Sequence, residues 1–572
     1  MVNIGLDLGS TTTLLSIYDY DANVPKIFEI QGAESYVVPS YVAYNTVTHK
    51  YEYGDRARNH MGKKNVTVYR AFKMLLGECD ERILKEWNYD ENNTPEKITE
   101  LFIRNILMMV LKRSADNKIG TLTIGIPEIW RKPGRMQRKN PGMVIRRICE
   151  DLHLAEQINI VTEPEAASAY FAFKYMEKAG QNFKGNILVI DYGGGTLDIT
   201  LSEVRPGTAD DGTMKYDMQI LTKERTGAGE NTVDENSSII SLGSGGIFYM
   251  ESVVDAALEE AGMDPVSEKR ADFDRYSRLV RMFEQDMTGE QIAIEDELAA
   301  YEPTGFQDEF VLAALDETLF TEFEYKEREI SITYGMMVRV YNRIIAPVLK
   351  EKLQTIINYM DAEHIDFRSG DSDTFQIALA GGFGNFYLVH EQVHRMINVG
   401  TRSTIIVGDN ECQKTIAFGT ALYANNIVGH RYTSPYALGM RLTDAEGESV
   451  DAYAFHYREE IDSNKQYFIE IAGRPVTFRS RQDVFRQFIR KDEREDNGTE
   501  PTILWLREEY VSRLQGIAGQ TGYFRLAFAL DEYDRLSIYV YEYDRDRKVC
   551  SDTPEVVTLS ELNELFLYAE SV

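Results

Sequence analysis

The stretch VIDYGGGTLDITL, residues 189–201, decides how this sequence folds. Two apolar runs are joined in it by three consecutive glycines, and Asp191 stands at the end of the first run. Three glycines weaken an ordinary hairpin, but they let main-chain amides approach a ligand without side-chain clashes. A similar pattern, GLDLGSTTTLLSI, occupies residues 5–17, with Asp7 in the equivalent place. The repeat predicts two related strand–turn–strand units within one fold.

Both turns have the composition of a phosphate-binding loop. Glycines give the backbone room, and hydroxyl and amide groups can surround phosphate oxygens. The residues with this predicted role are Gly9, Ser10, Thr11, Thr12, Gly193, Gly194, Gly195 and Thr196. The aspartates at the strand ends, Asp7 and Asp191, suit a magnesium ion that keeps part of its water shell. For the first turn taken alone, an ordinary hairpin is the alternative interpretation.

Two further motifs fit a ligand-binding cleft. Residues 381–384, Gly-Gly-Phe-Gly, follow the apolar run 375–380 and would let the backbone lie against a base or a ribose. Glu163 follows the apolar run 158–161, and Pro164 after it can begin a helix. A stiff turn of this kind would hold Glu163 at the edge of the cleft. A plain helix start is the alternative for this motif by itself.

The order of strands and helices predicts an α/β protein with two similar lobes and a β-rich domain after them. We place lobe I at residues 1–184 plus 411–428, and lobe II at residues 185–410. Within lobe II, residues 251–365 have a mainly helical pattern. The pattern then changes to short alternating stretches, so the β-rich domain is placed at residues 433–572.

The amino-acid composition argues against several classes of protein. Lys and Arg number 62 against 92 Asp and Glu, so the 572 residues carry a net charge of −30. Nucleic acid is therefore not an expected partner, because its phosphates need a basic surface. No run approaches the ~20 apolar residues of a membrane helix, and no leader pattern precedes the first strand. Four scattered cysteines without a CxxC pair predict a reducing compartment, so we expect a cytoplasmic protein without membrane contact.

Taken in order, the four motifs resemble the nucleotide-binding domain of the DnaK-type heat-shock-protein-70 chaperones, a family of the actin-like ATPase superfamily. Residues 39–44 and 72–77 also look like segments of this family, and the resemblance covers residues 1–428. It implies a two-lobed, actin-like nucleotide-binding domain built from duplicated ribonuclease-H-like lobes. It also implies a heat-shock-type chaperone that acts in protein folding and uses ATP, ADP and Mg²⁺.

The resemblance gives individual residues a role in hydrolysis. It implies that Lys73 orients the attacking water and that Glu163 links the hydrolytic centre to domain movement. Asp7 and Asp191 would hold the water shell of the magnesium ion, and Asp198 would help bind a monovalent cation such as K⁺. The catalytic residues implied in this way are Lys73, Glu163, Asp191 and Thr196.

The contacts of the family to the nucleoside are matched only in part. The positions that the resemblance assigns to it are Gly245, Gly246, Glu284, Gly381, Gly382, Gly384 and Asn385. The family has basic side chains where Met287 and Thr288 stand, and an arginine where Asn385 stands. The contacts to adenine are therefore altered relative to the family.

The β-rich domain has a weaker resemblance to the family's substrate-binding β-sandwich. Residues 434–439 and 522–528 look like strands of that sandwich, which implies an unfolded or extended polypeptide as client. The segment after the last predicted strand is too short for the family's helical lid, and residues 560–569 have the pattern of one short helix. A basic segment from Arg131 to Arg147 predicts a docking site for a co-chaperone or an acidic partner, with a solvated surface as the alternative.

We therefore expect a chaperone-like ATP hydrolase with slow turnover that binds unfolded or extended polypeptide. One alternative is a nucleotide-dependent switch or scaffold with weak or lost ATPase activity, which the altered adenine contacts favour. Another is a small-molecule kinase of the same superfamily, because a fold does not determine a function. A kinase would need a carboxylate base beside an alcohol-binding pocket, and the sequence offers no clear candidate for it.

Overall fold

The structure of the protein is a computed structural model. It describes residues 1–29, 37–113, 118–131, 140–206, 218–229, 231–233, 240–241, 243–301, 306–369, 371, 373–397, 405–406, 413–434, 436–443, 448–462, 465–479, 486–492, 498–518, 523–530, 535–543, 555–558 and 566–568. These residues form two compact units. The larger one is built mainly from residues up to Gly429, and the smaller one mainly from residues after it.

The first sheet of the larger unit is centred on the strand that carries Asp7. Its strands, in spatial order, are Val24–Ile27, Thr12–Asp19, Val2–Leu8, Ile119–Ile126 and Ala155–Thr162, and Val38–Pro39 pairs with the second of these. The central strand is antiparallel to its hairpin partner and parallel to its other neighbour. Ile4, Leu6 and Leu8 on one face and Gly5 and Asp7 on the other are all buried, as expected for a strand that is covered on both faces.

The second sheet repeats this arrangement around the strand that carries Asp191. Its strands include, in spatial order, Ile405–Ile406, Phe375–Ala380, Gly185–Tyr192, Leu197–Pro206 and Met218–Ala228. The central strand is again antiparallel to its hairpin partner and parallel to the neighbour on the other side. Asp191 stands opposite Asp198 in the hairpin and opposite Ala380 in the parallel pair. The repeated sheet confirms the predicted α/β fold with duplicated lobes.

Helices, two small sheets and one separate two-stranded hairpin complete the larger unit. Its α-helices are Asp55–Arg58, Glu81–Glu86, Pro95–Leu111, Pro141–Leu152, Glu163–Ala179, Gly246–Glu260, Pro265–Ala271, Phe273–Gly289, Gln291–Ala299, Glu309–Asp316, Tyr334–Val340, Ala346–Ala362, Tyr387–Ile397 and Thr415–Ala424. Shorter helical turns are Phe72–Leu75, Glu128–Arg131, Tyr341–Ile345 and Phe383–Asn385. The small sheets are Lys50–Tyr53, Tyr41–Asn45 and Val66–Arg70, and the pair Thr232–Val233 and Ile240–Ser241. Among the described helices, none is long and apolar enough to cross a membrane.

One hairpin interrupts the region that was predicted to be mainly helical. Leu319–Tyr325 pairs antiparallel with Arg328–Thr333. The turn between them consists of Lys326 and Glu327, which both have positive φ, 50° and 63°. Two consecutive residues with positive φ are typical of the tightest hairpin turns, where glycine or asparagine is the usual signal. Because this turn lacks those residues, the sequence pattern did not predict the hairpin.

Two helices with small residues pack closely behind the first sheet. Glu163–Ala179 begins at Thr162, whose hydroxyl caps the helix in a reciprocal arrangement with Glu165. It packs on Thr415–Ala424 so closely that a Cβ at Gly419 would lie 1.8 Å from the carbonyl oxygen of Ala166. This contact holds the start of the first helix, and with it Glu163, in a fixed place.

The smaller unit consists of two sheets and one helix around its own core. The first sheet has the order Arg474–Pro475, Glu470–Ile471, Ser449–Phe455, Ala437–Thr443, Gln487–Lys491, Thr502–Leu506 and Phe566–Tyr568. The second contains Tyr467–Phe468, Tyr523–Leu530, Leu536–Tyr543 and Glu555–Thr558 in this order, with Phe478–Arg479 paired to the second of them. The helix is Glu508–Ala518, and a short strand, Gly429–Arg431, stands at the junction of the units. These strands confirm that the C-terminal part is rich in β-structure.

The helix predicted at residues 560–569 is wrong where the structure describes that segment. Phe566–Tyr568 is a strand, antiparallel to Thr502–Leu506. Aromatic and apolar residues there favour a strand as soon as a neighbouring strand offers unpaired backbone groups. Pairing with a distant segment of the chain therefore overrides the local helical pattern.

Candidate functional site

A cavity of about 440 Å³ lies between the two repeated hairpins of the larger unit. Most of the predicted site residues line it: Asp7, Gly9, Ser10, Thr11, Thr12, Lys73, Glu163, Asp191, Gly193, Gly194, Gly195, Thr196, Gly246, Glu284, Gly381, Gly382 and Asn385. Gly245, Gly384 and Asp198 were also predicted, and they are not among the residues that line the cavity. We refer to this cavity as the cleft.

The first turn, residues 9–12, is held in shape by Ser40. The Ser40 hydroxyl donates a hydrogen bond of 2.8 Å to the carbonyl oxygen of Gly9, and its amide donates one of 2.8 Å to that of Thr11. A Cβ at Gly9 would lie 2.1 Å from the carbonyl oxygen of Thr12. Glycine is therefore required at this position, and the backbone of the turn has a fixed conformation.

The second turn, residues 193–196, is held by the start of helix Gly246–Glu260. The Gly246 amide donates to the carbonyl oxygen of Gly193 at 3.0 Å, and the Ile247 amide donates to that of Gly194 at 2.7 Å. A Cβ at Gly245 would lie 2.6 Å from the same Gly193 oxygen. Gly245 and Gly246 thus support the turn from behind, which explains the need for two glycines there.

The two turns approach each other across the cleft. A Cβ at Gly194 would lie 3.2 Å from Cγ2 of Thr11. A Cβ at Gly195 would lie 2.1 Å from the sulfur of Met74. A side chain at Gly195 would collide with Met74, and one at Gly194 would occupy the narrow space beside Thr11. The short separation lets both backbones contact the same small anionic group.

Lys73 and Glu163 form a buried ion pair in the wall of the cleft. Lys73 belongs to the short helical turn Phe72–Leu75, and its ammonium group also lies 5.6 Å from the centre of the Trp130 ring. Glu163 occupies the first turn of its helix, where the positive end of the helix favours a carboxylate. Burial lowers the pKa of Lys73, but Glu163 and Asp7 raise it more, so the ammonium stays charged.

Carboxyl groups outnumber cations in this wall. Burial, together with Glu163, raises the pKa of Asp7 to about 7 against the opposing effect of Lys73. Burial and the neighbouring carboxylates raise the pKa of Asp191 well above its usual range. Burial, Glu163 and Glu128 raise the pKa of Asp198 to about 8. A bound cation would stabilise the ionised forms of these groups.

The aspartates have free oxygens for such a cation. Oδ1 of Asp191 and Oδ2 of Asp198 are buried and make no hydrogen bond to any described residue. Oδ1 of Asp198 accepts a hydrogen bond of 3.1 Å from the Ile129 amide. In the described part of the chain, no three His, Cys, Asp or Glu side chains form a ready ligand set for a metal ion. The arrangement fits a magnesium ion that is held largely through water molecules.

The end of the cleft away from the turns is formed by helix Phe273–Gly289, the start of helix Gln291–Ala299 and residues 382–387. Met287 and Thr288, the positions where basic residues were missing, both line it. Burial raises the pKa of Glu284 there, against the opposing effect of three arginines, among them Arg58. Apart from Glu284, the side chains of helices Phe273–Gly289 and Gln291–Ala299 that line this end are neutral, and Met287 and Ile294 among them are aliphatic.

Sequence reasoning missed an arginine clamp above the cleft. Nη2 of Arg70 donates to Oε1 of Glu251 at 3.0 Å and to Oγ of Ser277 at 3.1 Å. Its guanidinium lies 4.7 Å from the centre of the Trp87 ring and 5.6 Å from that of the Phe273 ring, and these two rings pack edge to face. The clamp joins strand Val66–Arg70, just before Lys73, to two helices of the opposite wall. An arginine at the end of a buried strand was the only signal in the sequence.

Two other contributors to the cleft were not singled out from the sequence. Arg58 and Asp55 line it as an ion pair of 2.5 Å, and their spacing on a helix is a recognisable signal. Trp130 follows the parallel strand Ile119–Ile126, and the ends of such strands are common positions for site residues. Residues 132–139 of the predicted basic docking segment, Arg131 to Arg147, lie outside the described residues, and Arg146 and Arg147 belong to helix Pro141–Leu152.

Comparison with known proteins supports this picture for the N-terminal part of the chain. Residues 3–220 match the model of the family described as Hsp70 protein. The chain is 28% identical over 212 residues to the chaperone protein DnaK of Metamycoplasma hominis, which covers 36% of this chain and 31% of that protein. It is 26% identical over 208 residues to the chaperone protein DnaK of Thermosipho africanus, and this match again covers 36% of this chain and 31% of that protein.

The chain thus spans less than a third of the length of these relatives. The matched segment contains Asp7, both turns, Lys73 and Glu163. Residues 381–384, the residues at the other end of the cleft and the whole smaller unit lie outside it. The similarity therefore covers the turn end of the cleft and does not extend to the helices at the end away from the turns.

Proposed function

Because residues 3–220 of this chain match the family model described as Hsp70 protein, we propose that its larger unit binds ATP with magnesium in the cleft and hydrolyses it to ADP and phosphate. One observation carries the proposal. Asp7 and Asp191, in equivalent positions of two repeated sheets, meet the Lys73–Glu163 pair in a cavity bounded by two glycine-containing turns. Phosphoryl transfer needs positioning and charge neutralisation more than a covalent partner.

Each group of residues has its own part in this reaction. The amides and hydroxyls of the two turns hold the phosphate oxygens, and the close approach of Gly194 to Thr11 keeps water away from them. Asp7 and Asp191 would hold the water shell of magnesium, which when bound neutralises charge on the phosphates. Asp198 offers one free oxygen to a monovalent cation such as K⁺.

The same geometry supports slow turnover. Lys73 is the ammonium that reaches the cleft floor, and it donates to Glu163, so it shares its hydrogen bonds between that carboxylate and the attacking water. When a bound cation keeps Asp191 ionised, its free Oδ1 can accept the proton that the water loses. Because Lys73 is shared with Glu163, its hold on the attacking water is weaker, which favours slow turnover.

For the smaller unit we propose binding of unfolded or extended polypeptide. Its two sheets offer backbone hydrogen bonds at their edges, and such edges accept extended peptides as an added strand. A co-chaperone or acidic partner at the segment from Arg131 to Arg147, and a cytoplasmic location, complete the proposal.

The direct test is calorimetric titration of the full chain with ATP and ADP, with and without Mg²⁺, followed by single-turnover hydrolysis. Magnesium-dependent binding and slow release of phosphate are expected. If neither nucleotide binds, the proposal fails. Binding without hydrolysis would favour the nucleotide-dependent switch or scaffold. Phosphate transfer to small alcohols would favour the small-molecule kinase.

A further inference from the structure

The end of the cleft away from the turns has a side-chain composition that bears on the base. If the phosphates lie between the two turns, the rest of a nucleotide extends toward Met287, Gln291 and Asn385. Met287 and Ile294 are 5% and 1% exposed and form an aliphatic wall. The floor under Gly246 is Phe383, which stacks on Phe386 at 5.5 Å. A flat aromatic base can pack on such surfaces whatever its edge carries.

Two neutral amides lie at this end, on segments that are far apart in sequence. Gln291 begins helix Gln291–Ala299, and Asn385 ends the turn Phe383–Asn385. Both line the cleft, and neither side chain makes a hydrogen bond to another described residue. Asn385 is half-buried and Gln291 is exposed, so both amides are accessible from the cleft. Each can offer one donor group and one acceptor group to a molecule bound there.

The basic side chains that line the cleft already have acidic partners. Among the described residues that line the cleft, the lysine and arginine side chains are Lys73 and Arg58. Lys73 is paired with Glu163, and Arg58 is paired with Asp55 at 2.5 Å. The base would therefore not be held by stacking on a free guanidinium. Its edge would be read by hydrogen bonds alone.

We propose that this end of the cleft accepts adenine and guanine alike, with Gln291 and Asn385 reading the base edge. The inference rests on the proposed function, because it needs a purine nucleotide in the cleft. A carboxamide has a carbonyl acceptor and an amino donor, and its two ends exchange by rotation. The carbonyl suits the 6-amino group of adenine, and the amino group suits O6 and N7 of guanine. One amide can therefore serve either purine.

The test is titration of the full chain with Mg·ATP and Mg·GTP under the same conditions. We expect dissociation constants within about fivefold of each other, because a wrong base is rejected only when a fixed donor or acceptor is left unpaired. A preference of about 30-fold or more for ATP would overturn the inference and leave the proposed function standing. Failure of both nucleotides to bind would overturn the two together.

Gln291→Glu separates this role from simple packing. A carboxylate only accepts hydrogen bonds, so it cannot serve both purines, and the ratio of the two dissociation constants should change by about tenfold or more. The matched control is Gln354→Glu, which makes the same charge change on an exposed helix position, where Gln354 donates to Asn358. An unchanged ratio in Gln291→Glu would show that Gln291 does not read the base. A melting temperature for each variant separates a loss of folding from a change of preference.

Discussion

Lys73 and Glu163 are 90 positions apart in the sequence and form an ion pair in which the two side chains are only 5% and 6% exposed. The pair joins the turn Phe72–Leu75 to the start of helix Glu163–Ala179. Removing one partner of a buried pair leaves the other charge without compensation, and this destabilises a protein more than the pair itself stabilises it. The pair therefore affects both the reaction and the stability of the fold around it.

Lys73→Ala should reduce single-turnover hydrolysis by about 100-fold or more, the usual cost of removing one positioned donor from a charged transition state. ATP affinity should stay within a few fold, because the turns hold the phosphates through their backbone. Single-turnover assays and calorimetry measure the two effects separately. The control is Lys85→Ala, which removes an exposed ion pair with Glu81. An unchanged rate in Lys73→Ala would exclude Lys73 from the mechanism.

Gly194→Val should abolish ATP binding and leave the melting temperature nearly unchanged. The added side chain would fill the narrow space between the second turn and Thr11, and its nearest neighbours are the flexible ends of Thr11 and Ile247. Gly289→Ala is the control, since a Cβ there meets no atom within 4 Å. Calorimetry and thermal melting test both statements. ATP binding of normal strength would show that the phosphates do not lie between the turns.

Arg70→Met should speed the release of bound nucleotide by about tenfold or more, because it breaks the clamp between the two walls and leaves the buried Glu251 with Lys269, at 3.4 Å, in place of its closer partner. The release rate of a fluorescent ATP analogue measures this in stopped-flow experiments. The double variant Arg70→Met with Glu251→Leu removes both buried charges of the clamp and leaves Lys269 paired with Glu86 at 3.3 Å. It should recover thermal stability while release stays fast. Release at the normal rate in Arg70→Met would mean that the walls do not separate when nucleotide leaves.

The nucleotide-free protein should lose stability as the pH rises from about 5 to about 8. The folded state keeps a proton on Asp198 up to its pKa of about 8, whereas an unfolded chain releases it at about 3.9. Between these values the folded state binds more protons, so the free energy of unfolding falls with rising pH. Asp7, with a pKa raised to about 7, acts in the same direction.

Asp198→Asn removes the titrating group with almost no change of volume. Its melting temperature should be higher than that of the wild type at pH 8 and should depend less on pH. Asp21→Asn, at an exposed turn, is the control and should follow the wild type. If Asp198→Asn and the wild type have parallel pH profiles, Asp198 is ionised in the folded protein throughout this range.

The smaller unit should bind unfolded polypeptide weakly, with fast release. A helical lid is not part of the described smaller unit, where the segment predicted as helix contains the strand Phe566–Tyr568. Affinity among related complexes is set mainly by the rate of dissociation, so micromolar binding with release in seconds or less is expected. Surface binding of a permanently unfolded client to the full chain, with and without ATP, measures it. Tight binding that persists for hours would contradict this prediction, and a strong effect of ATP would show that the two units are coupled.

The sequence by itself determined the two strand–turn–strand units and their chemistry. Residues 5–17 and 189–201 are short, continuous patterns, and apolar strands joined by glycines have few alternative conformations. Asp7 and Asp191 follow from these patterns because a strand end positions its own side chain. Glu163 follows in the same way from the helix start at Pro164.

The tertiary structure decided everything that depends on distant segments meeting. Arg70 and Glu251 are 181 positions apart, and no local pattern predicts that they pair. The hairpin turn at Lys326 and Glu327 and the strand Phe566–Tyr568 override local preferences, because pairing and packing outweigh propensity. The meeting of Gln291 and Asn385 in the cleft depends on how the fold brings their segments together. The raised pKa values of the aspartates depend on which groups the fold buries around them, and spacing along the chain does not encode either property.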